Sequence, residues 1–211
     1  MHSKFVIDTS IFVNPQTREK FGSNPTRAVK AFIKILESID ASVYMPPSVF
    51  NELRNFVDGK TMEEFELVVK KRAPNTYSIY LPAAVFYDFV DDIRSRINKG
   101  MRLAEDFAKD NSPDNDKKLG KLREKYRDAM RSGIIDSKED LELILLAKEL
   151  DAPVVSSDEG VIKFSHQVGC ESISGSKFPP MLQKMIERAN LQKPKMKKSK
   201  KKKRNYTTPK K

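Results

Sequence analysis

Phe5-Val6-Ile7-Asp8-Thr9-Ser10 decides the architecture. Three apolar, β-prone residues in unbroken succession match a strand buried on both faces, the habit of parallel sheets packed between helices. The run stops at an aspartate followed by two hydroxyl residues. Its carboxyl end therefore places a charge where open α/β sheets form their ligand crevice.

Working outward, Asn24-Pro25 reads as an N-cap with proline at the first helical position, and Ala28, Phe32, Ile35 and Ile39 repeat at helical spacing up to Asp40. Ser42-Val43-Tyr44-Met45 reads as a second short strand, followed by a helix carrying Val49, Phe50, Leu53 and Phe56. Residues 61–72 read as another helix. After Pro82, Phe86, Val90, Ile93, Ile97, Met101, Ala104 and Ala108 are spaced 4, 3, 4, 4, 3 and 4. That stripe is close to a heptad seam and lasts about seven turns at ~3.6 residues each. Asn111-Ser112-Pro113-Asp114-Asn115 interrupts it, and a second helix with Leu119, Leu122, Tyr126 and Ala129 on one face completes a helical hairpin.

Gly133-Ile134-Ile135-Asp136 returns the chain to the α/β body. Ser137-Lys138-Glu139-Asp140 has capping-box spacing and opens a helix through Leu141, Ile144, Leu145 and Leu150. Val154-Val155-Ser156-Ser157-Asp158 is a further strand ending in polar residues, Gly160 to Val168 reads as helical, Glu171-Ser172-Ile173 suits a last edge strand, and residues 180–190 suit a closing helix. The fold class is α/β: a central parallel sheet flanked by helices, formed by residues 1–80 and 132–191, with a helical-hairpin protrusion inserted at 81–131 and a disordered basic tail at 192–211.

Charge is distributed unevenly. Residues 193–211 hold eleven of the 40 Lys+Arg and none of the 29 Asp+Glu, so residues 1–192 carry 29 of each sign and the net +11 belongs to the tail. A single cysteine, Cys170, excludes a disulfide framework and a zinc ribbon, and with two histidines a soft-ligand metal site is disfavoured. No apolar run approaches the ~18 residues of a membrane span. The expectation is a soluble cytoplasmic protein with no membrane partner.

Three strand-like runs end in, or just before, a carboxylate: Asp8, Asp136 and Asp158. Asp140, four residues beyond Asp136, reaches the same region if the helix begins between them. Each alone suits an ordinary capping role, but capping does not explain why acids recur at the ends of buried strands. Carboxylates clustered without arginines repel unless a cation lies among them, and hard oxygen ligands suit Mg²⁺ (or Mn²⁺). The implied chemistry is metal-assisted phosphodiester hydrolysis. Glu52 suits either a fifth ligand or a surface acid. Glu142 lies off the Asp136/Asp140 face by ~100° per residue, and Glu159 turns away from Asp158 if helical.

The segments around Asp8, Glu52, Asp136-Asp140 and Ser156-Ser157-Asp158 resemble, in order, the four acidic motifs of PIN-domain ribonucleases. With the long helical insertion between the second and third motifs, the chain resembles the RNA-free ribonuclease P family, the single-protein homologs of the Aquifex enzyme, over residues 1–190. The resemblance implies a PIN-like domain that removes the 5′ leader of precursor tRNA, leaving a 5′-phosphate, without an RNA subunit. It implies homo-oligomers assembled through the protrusion. Carried over by position, Asp8, Asp136, Asp140 and Asp158 bind metal and orient water, with Glu52, Glu142 and Glu159 as secondary acids. The family often has two aspartates where this chain has Asp158-Glu159. On the protrusion, Arg94, Arg96, Lys117, Lys121 and Arg123 suit either tRNA contact or a solvated face.

Two rival functions are a PIN endoribonuclease with another RNA substrate, toxin-like or ribosomal, and a non-catalytic RNA-binding scaffold. The lack of a zinc ribbon disfavours the ribosomal type. A scaffold for polyanions gains nothing from four uncompensated acids.

Overall fold

In the computed structural model, which describes residues 2–110, 114–131 and 137–192, the opening apolar run lies in β1 (Ser3–Ile7). Two single-turn helices, α1 (Ser10–Val13) and α2 (Pro15–Arg18), precede α3 (Pro25–Leu36). The Asn24 side chain accepts from the Arg27 N–H and Pro25 occupies the first turn, as its sequence predicts. β2 (Ala41–Met45) leads through Pro46 into α4 (Pro47–Leu53), and α5 (Gly59–Val68) runs into β3 (Val69–Lys71). The protrusion contributes α6 (Ala83–Lys109) and α7 (Asn115–Arg131). The chain then adds α8 (Lys138–Leu150), β4 (Val154–Ser156), α9 (Glu159–Gln167), β5 (Ser172–Ser174) and α10 (Phe178–Gln192).

Among the described residues the sheet has five strands, all parallel, in the order β3-β2-β1-β4-β5. β1 pairs with β2 on one side (Phe5 opposite Val43) and with β4 on the other (Ile7 opposite Val155). The direction of winding reverses beside β1, so the carboxyl ends of β1 and β4 flank the topological switch point, where α/β sheets open a crevice. Phe5, Val6, Ile7, Val154 and Val155 are fully or nearly fully buried, which is why these strands are continuous apolar runs rather than alternating ones.

The core continues through aromatic contacts from the helices. Phe12, Phe32 and Phe65 meet edge to face or tilted at 5.3–6.4 Å between ring centres, and Phe178 of α10 meets Phe5 at 5.3 Å. Burying each such ring contributes roughly 1.5–3 kcal/mol. Among the described residues, no helix is long and apolar enough to cross a membrane.

Four sequence readings are corrected or left aside. Residues 61–72 are not one helix: α5 gives way at Val69 to an edge strand whose buried Val69 pairs with Val43. Lys70 and Lys71 present charge along that edge, which blocks pairing with another chain, and they stack on Tyr44 and Phe50 at 5.3 and 4.8 Å. Phe56 lies beyond the end of α4 and is exposed, so it does not belong to the core face. The run Gly133-Ile134-Ile135-Asp136 and the basic tail lie outside the described residues.

In the protrusion, α6 and α7 pack as a hairpin. The Tyr126 ring seats against Gly100, where a Cβ would lie 2.7 Å from it. Arg96 ties the two helices, donating to the Met130 carbonyl at 2.9 Å while pairing with Asp92 at 2.6 Å. The apolar stripe does not face α7. Its bulky half, Phe86, Val90, Ile93, Ile97 and Met101, is exposed, and so are Ala104 and Ala108, while Arg96, Gly100, Leu103 and Phe107 on the adjacent face are the less exposed residues.

Candidate active site

Asp8 follows β1 directly and is buried, at 6% exposure. Its backbone N–H donates to the Val155 carbonyl at 3.0 Å, extending the β1–β4 ladder by one residue and fixing the carboxylate at the switch point. Oδ2 accepts from the Ser10 hydroxyl at 2.5 Å and from the Ser156 hydroxyl at 2.6 Å. No Lys or Arg pairs with this buried carboxylate among the described residues, so hydroxyl dipoles alone compensate its charge there.

Ser156 couples the two strands a second time. Its hydroxyl accepts from the Asp158 N–H at 3.0 Å, while Ser10 Oγ accepts from the Ser157 N–H at 2.8 Å. The turn that carries Asp158 is thereby locked to the turn that carries Asp8. Asp158 also caps α9, its Oδ1 accepting from the Gly160 and Val161 N–H groups at 2.6 and 3.2 Å. The capping reading of this residue is correct and compatible with a site role, because Asp158 still lines the crevice. From behind, Ser157 Oγ lies 2.7 Å from the buried Thr17 hydroxyl, and a Cβ on Gly175 would come within 2.1 Å of Ser157 Oγ.

Opposite β1 and β4, α4 and the start of α8 close the crevice, whose volume is about 680 Å³. It is lined by Asp8, Thr9, Ser10, Ser48, Asn51, Glu52, Asn55, Ser137, Glu139, Asp140 and Asp158. Ser137 caps α8 by accepting from the Asp140 N–H at 3.0 Å, which realises the serine half of the capping box and brings Asp140 to the crevice. Glu52 is exposed but its carboxylate lines the crevice, where the Thr9 hydroxyl sits 3.2 Å from its Oε2 and 3.3 Å from Asp8 Oδ1. Burial pushes the Glu52 carboxyl above its ordinary range. Repulsion from Asp8 and Glu139 adds to that push, against the lowering effect of the Thr9 hydrogen bond.

Of the acids singled out in the sequence, Asp8, Glu52, Asp140 and Asp158 therefore share one crevice. Asp136 lies outside the described residues. Glu142 does not line the crevice; it accepts from the Ser48 hydroxyl at 2.5 Å and lies 3.5 Å from Lys138. Glu159 is exposed in the first turn of α9. Glu139 was missed as a site residue, and its only sequence signal is its place between Ser137 and Asp140. Asn51 and Asn55 were missed as well, although they flank Glu52 at a spacing that puts them on one helical face. On the protrusion, Arg94, Lys117, Lys121 and Arg123 are exposed, and Lys117 pairs with Asp114 at 2.9 Å.

Among the described residues, the lining holds five carboxylates and six neutral polar side chains with no lysine or arginine. Among the described residues no group of three or more His, Cys, Asp or Glu forms a ready-made metal cage. The donor set nonetheless fits a hard divalent cation: every donor is oxygen or amide, and the charges of Asp8 and Glu139 help to push the Glu52 carboxyl up.

The chain is similar to known ribonucleases. Residues 4–187 match the model of a PINc domain ribonuclease. The chain is 44% identical over 191 residues to the RNA-free ribonuclease P of Pyrococcus abyssi, covering 88% of this chain and 94% of that one. It is 46% identical over 189 residues to the RNA-free ribonuclease P of Thermococcus onnurineus, covering 87% and 95%. Against that of Thermodesulfovibrio yellowstonii it is 43% identical over 182 residues, covering 85% and 93%.

Proposed function

The chain belongs to the RNA-free ribonuclease P family of PINc-domain endoribonucleases, and from that premise we propose that its crevice removes the 5′ leader of precursor tRNA by hydrolysis, without an RNA subunit. The observation that carries this reading is the joint fixation of Asp8 and Asp158 at the switch point by Ser10 and Ser156. Two acids from distant parts of the chain are held together by their own hydroxyl framework, in a crevice whose described lining has no basic residue.

In this reading Asp8, Asp136, Asp140 and Asp158 hold Mg²⁺ (or Mn²⁺), with Glu52 beside them. When bound, such an ion polarises the scissile phosphate and lowers the pKa of a water to make a nucleophile. The residues of the chain do the rest. Ser10 and Ser156 hold the Asp8 carboxylate in one orientation. Ser137 fixes the α8 terminus that carries Asp140. Asp158 is oriented by its own cap and by Ser156. Hydrolysis by water at the phosphorus leaves a 5′-phosphate on the tRNA and a 3′-hydroxyl on the leader.

The exposed bulky half of the α6 stripe supports self-association through the protrusion. The test of the activity is direct: purified protein with Mg²⁺ should release the leader from 5′-labelled precursor tRNA at a single mapped site, and Asp8→Ala or Asp136→Ala should abolish release while retaining the far-UV spectrum. A wild-type preparation that leaves precursor tRNA uncut beside an active control refutes it.

A further inference from the structure

The described crevice lining contains six neutral polar residues, and they differ in what they already bind. The four hydroxyls are engaged within the protein: Thr9 with Asp8 and Glu52, Ser10 with Asp8 and Ser157, Ser48 with Glu142, and Ser137 with Asp140. The two amides, Asn51 and Asn55, are exposed, and neither side chain makes a hydrogen bond among the described residues. Asn51 lies on α4 and Asn55 in the turn just beyond it, where its backbone N–H bonds to the Glu52 carbonyl at 3.1 Å. Four residues apart, they lie on the same side as Glu52, on the wall facing β1 and β4.

We propose that Asn51 and Asn55 hold a ribose 2′-hydroxyl of a nucleotide flanking the scissile phosphate, an inference that rests on the ribonuclease reading above. A carboxamide offers both an acceptor oxygen and two N–H donors, which complements a hydroxyl that both donates and accepts. A phosphate oxygen only accepts, and its charge calls for a cation that these residues do not supply. A carboxylate wall presents acceptors alone. Because the attacking group in the proposed hydrolysis is water, the 2′-hydroxyl is not consumed in the reaction and is free for recognition. A 2′-hydroxyl contact also separates RNA from DNA at one position. In a crevice whose described lining has no arginine or lysine, two uncommitted amides are the groups left to perform that discrimination.

The experiment crosses protein and substrate changes. Wild type, Asn51→Ala and Asn55→Ala are each assayed with Mg²⁺ on all-ribose precursor tRNA and on versions carrying a single 2′-deoxy nucleotide on either side of the cleavage site. At least one Ala variant should lose roughly three- to ten-fold in kcat/KM on the all-ribose substrate, the scale of one net hydrogen bond. That variant should then lose nothing further on the matching deoxy substrate. Its melting temperature should equal that of wild type, since both side chains are exposed and unbonded. Losses from the amide and the hydroxyl that multiply independently, or Ala variants that cleave like wild type, overturn the proposal. Wild type that cuts no precursor tRNA overturns the ribonuclease reading, and this inference with it.

Discussion

Ser156 illustrates how much of this site depends on side chains that carry no charge. It is fully buried, donates to Asp8 Oδ2 at 2.6 Å and accepts from the Asp158 N–H at 3.0 Å. Ser156→Ala leaves the part-buried Asp158 N–H without its acceptor and deprives the buried Asp8 carboxylate of a donor, a loss of about 1–3 kcal/mol. Urea unfolding should register that loss. Cleavage should slow by about ten- to hundred-fold at fixed Mg²⁺, at about 1.4 kcal/mol of barrier per ten-fold, and recover partly at higher Mg²⁺. An unchanged rate would show that Ser156 does not position the acids. Glu52 allows a second test, with a defined sign. Its carboxyl titrates above its ordinary value in the folded chain, so between the two values the folded state binds more protons than the unfolded one. Stability therefore falls as pH rises through that window. In metal-free buffer at pH 7, Glu52→Gln should melt higher than wild type, and the difference should vanish below the ordinary carboxylate range. Equal differences at both pH values would refute the cause assigned here. The strand-end acids Asp8 and Asp158 were legible from sequence because each follows an apolar run. Glu139 was not, because an acid in the first turn of a helix is already explained by the helix dipole.

At the scale of elements, α6 is the least satisfied piece of the fold. Over 27 residues it buries only Val85 and Gly100, while Phe86, Ile97 and Met101 are each close to 60% exposed. A second copy of the same surface would cover such a stripe, since knobs repeating at heptad spacing find complementary holes in a like helix. Ile97→Glu combined with Met101→Glu should shift the mass measured by light scattering toward the monomer without altering the circular dichroism spectrum, because neither side chain belongs to the main core. An unaltered mass would place the interface elsewhere. The stripe was visible in the sequence as a period, but which face of α6 meets α7 was not: that depends on Gly100, which is off the stripe, admitting the Tyr126 ring. The same limit explains β3. Three residues are too few to display a strand period, and only the pairing of Val69 with Val43 distinguishes them from one more turn of α5. Caps behaved differently, because Asn24 and Ser137 act through bonds to residues three positions away and need no tertiary partner.

At the scale of the whole molecule, the sign of charge is divided between parts. The described crevice lining is acidic with no basic residue, residues 1–192 are formally neutral, and residues 193–211 carry eleven Lys/Arg without an acid. A polyanionic substrate is thus repelled by the crevice carboxylates when no cation is bound and attracted by the tail, so affinity and cleavage should respond to different parts of the chain. Removing residues 193–211 should weaken binding of precursor tRNA and flatten its salt dependence, since each lost phosphate contact removes roughly 0.7–0.9 from the slope of log affinity against log salt. The cut site and the rate at saturating substrate should stay unchanged, because the acids and their hydroxyl framework all precede the deleted segment. Filter binding across a salt series, with the 5′ end mapped in parallel, separates the two effects. A moved cut site would mean that the tail helps to set register, and an unchanged salt slope would mean that the phosphate contacts come from the neutral body, with the exposed Arg94, Lys121 and Arg123 of the protrusion as the first residues to substitute.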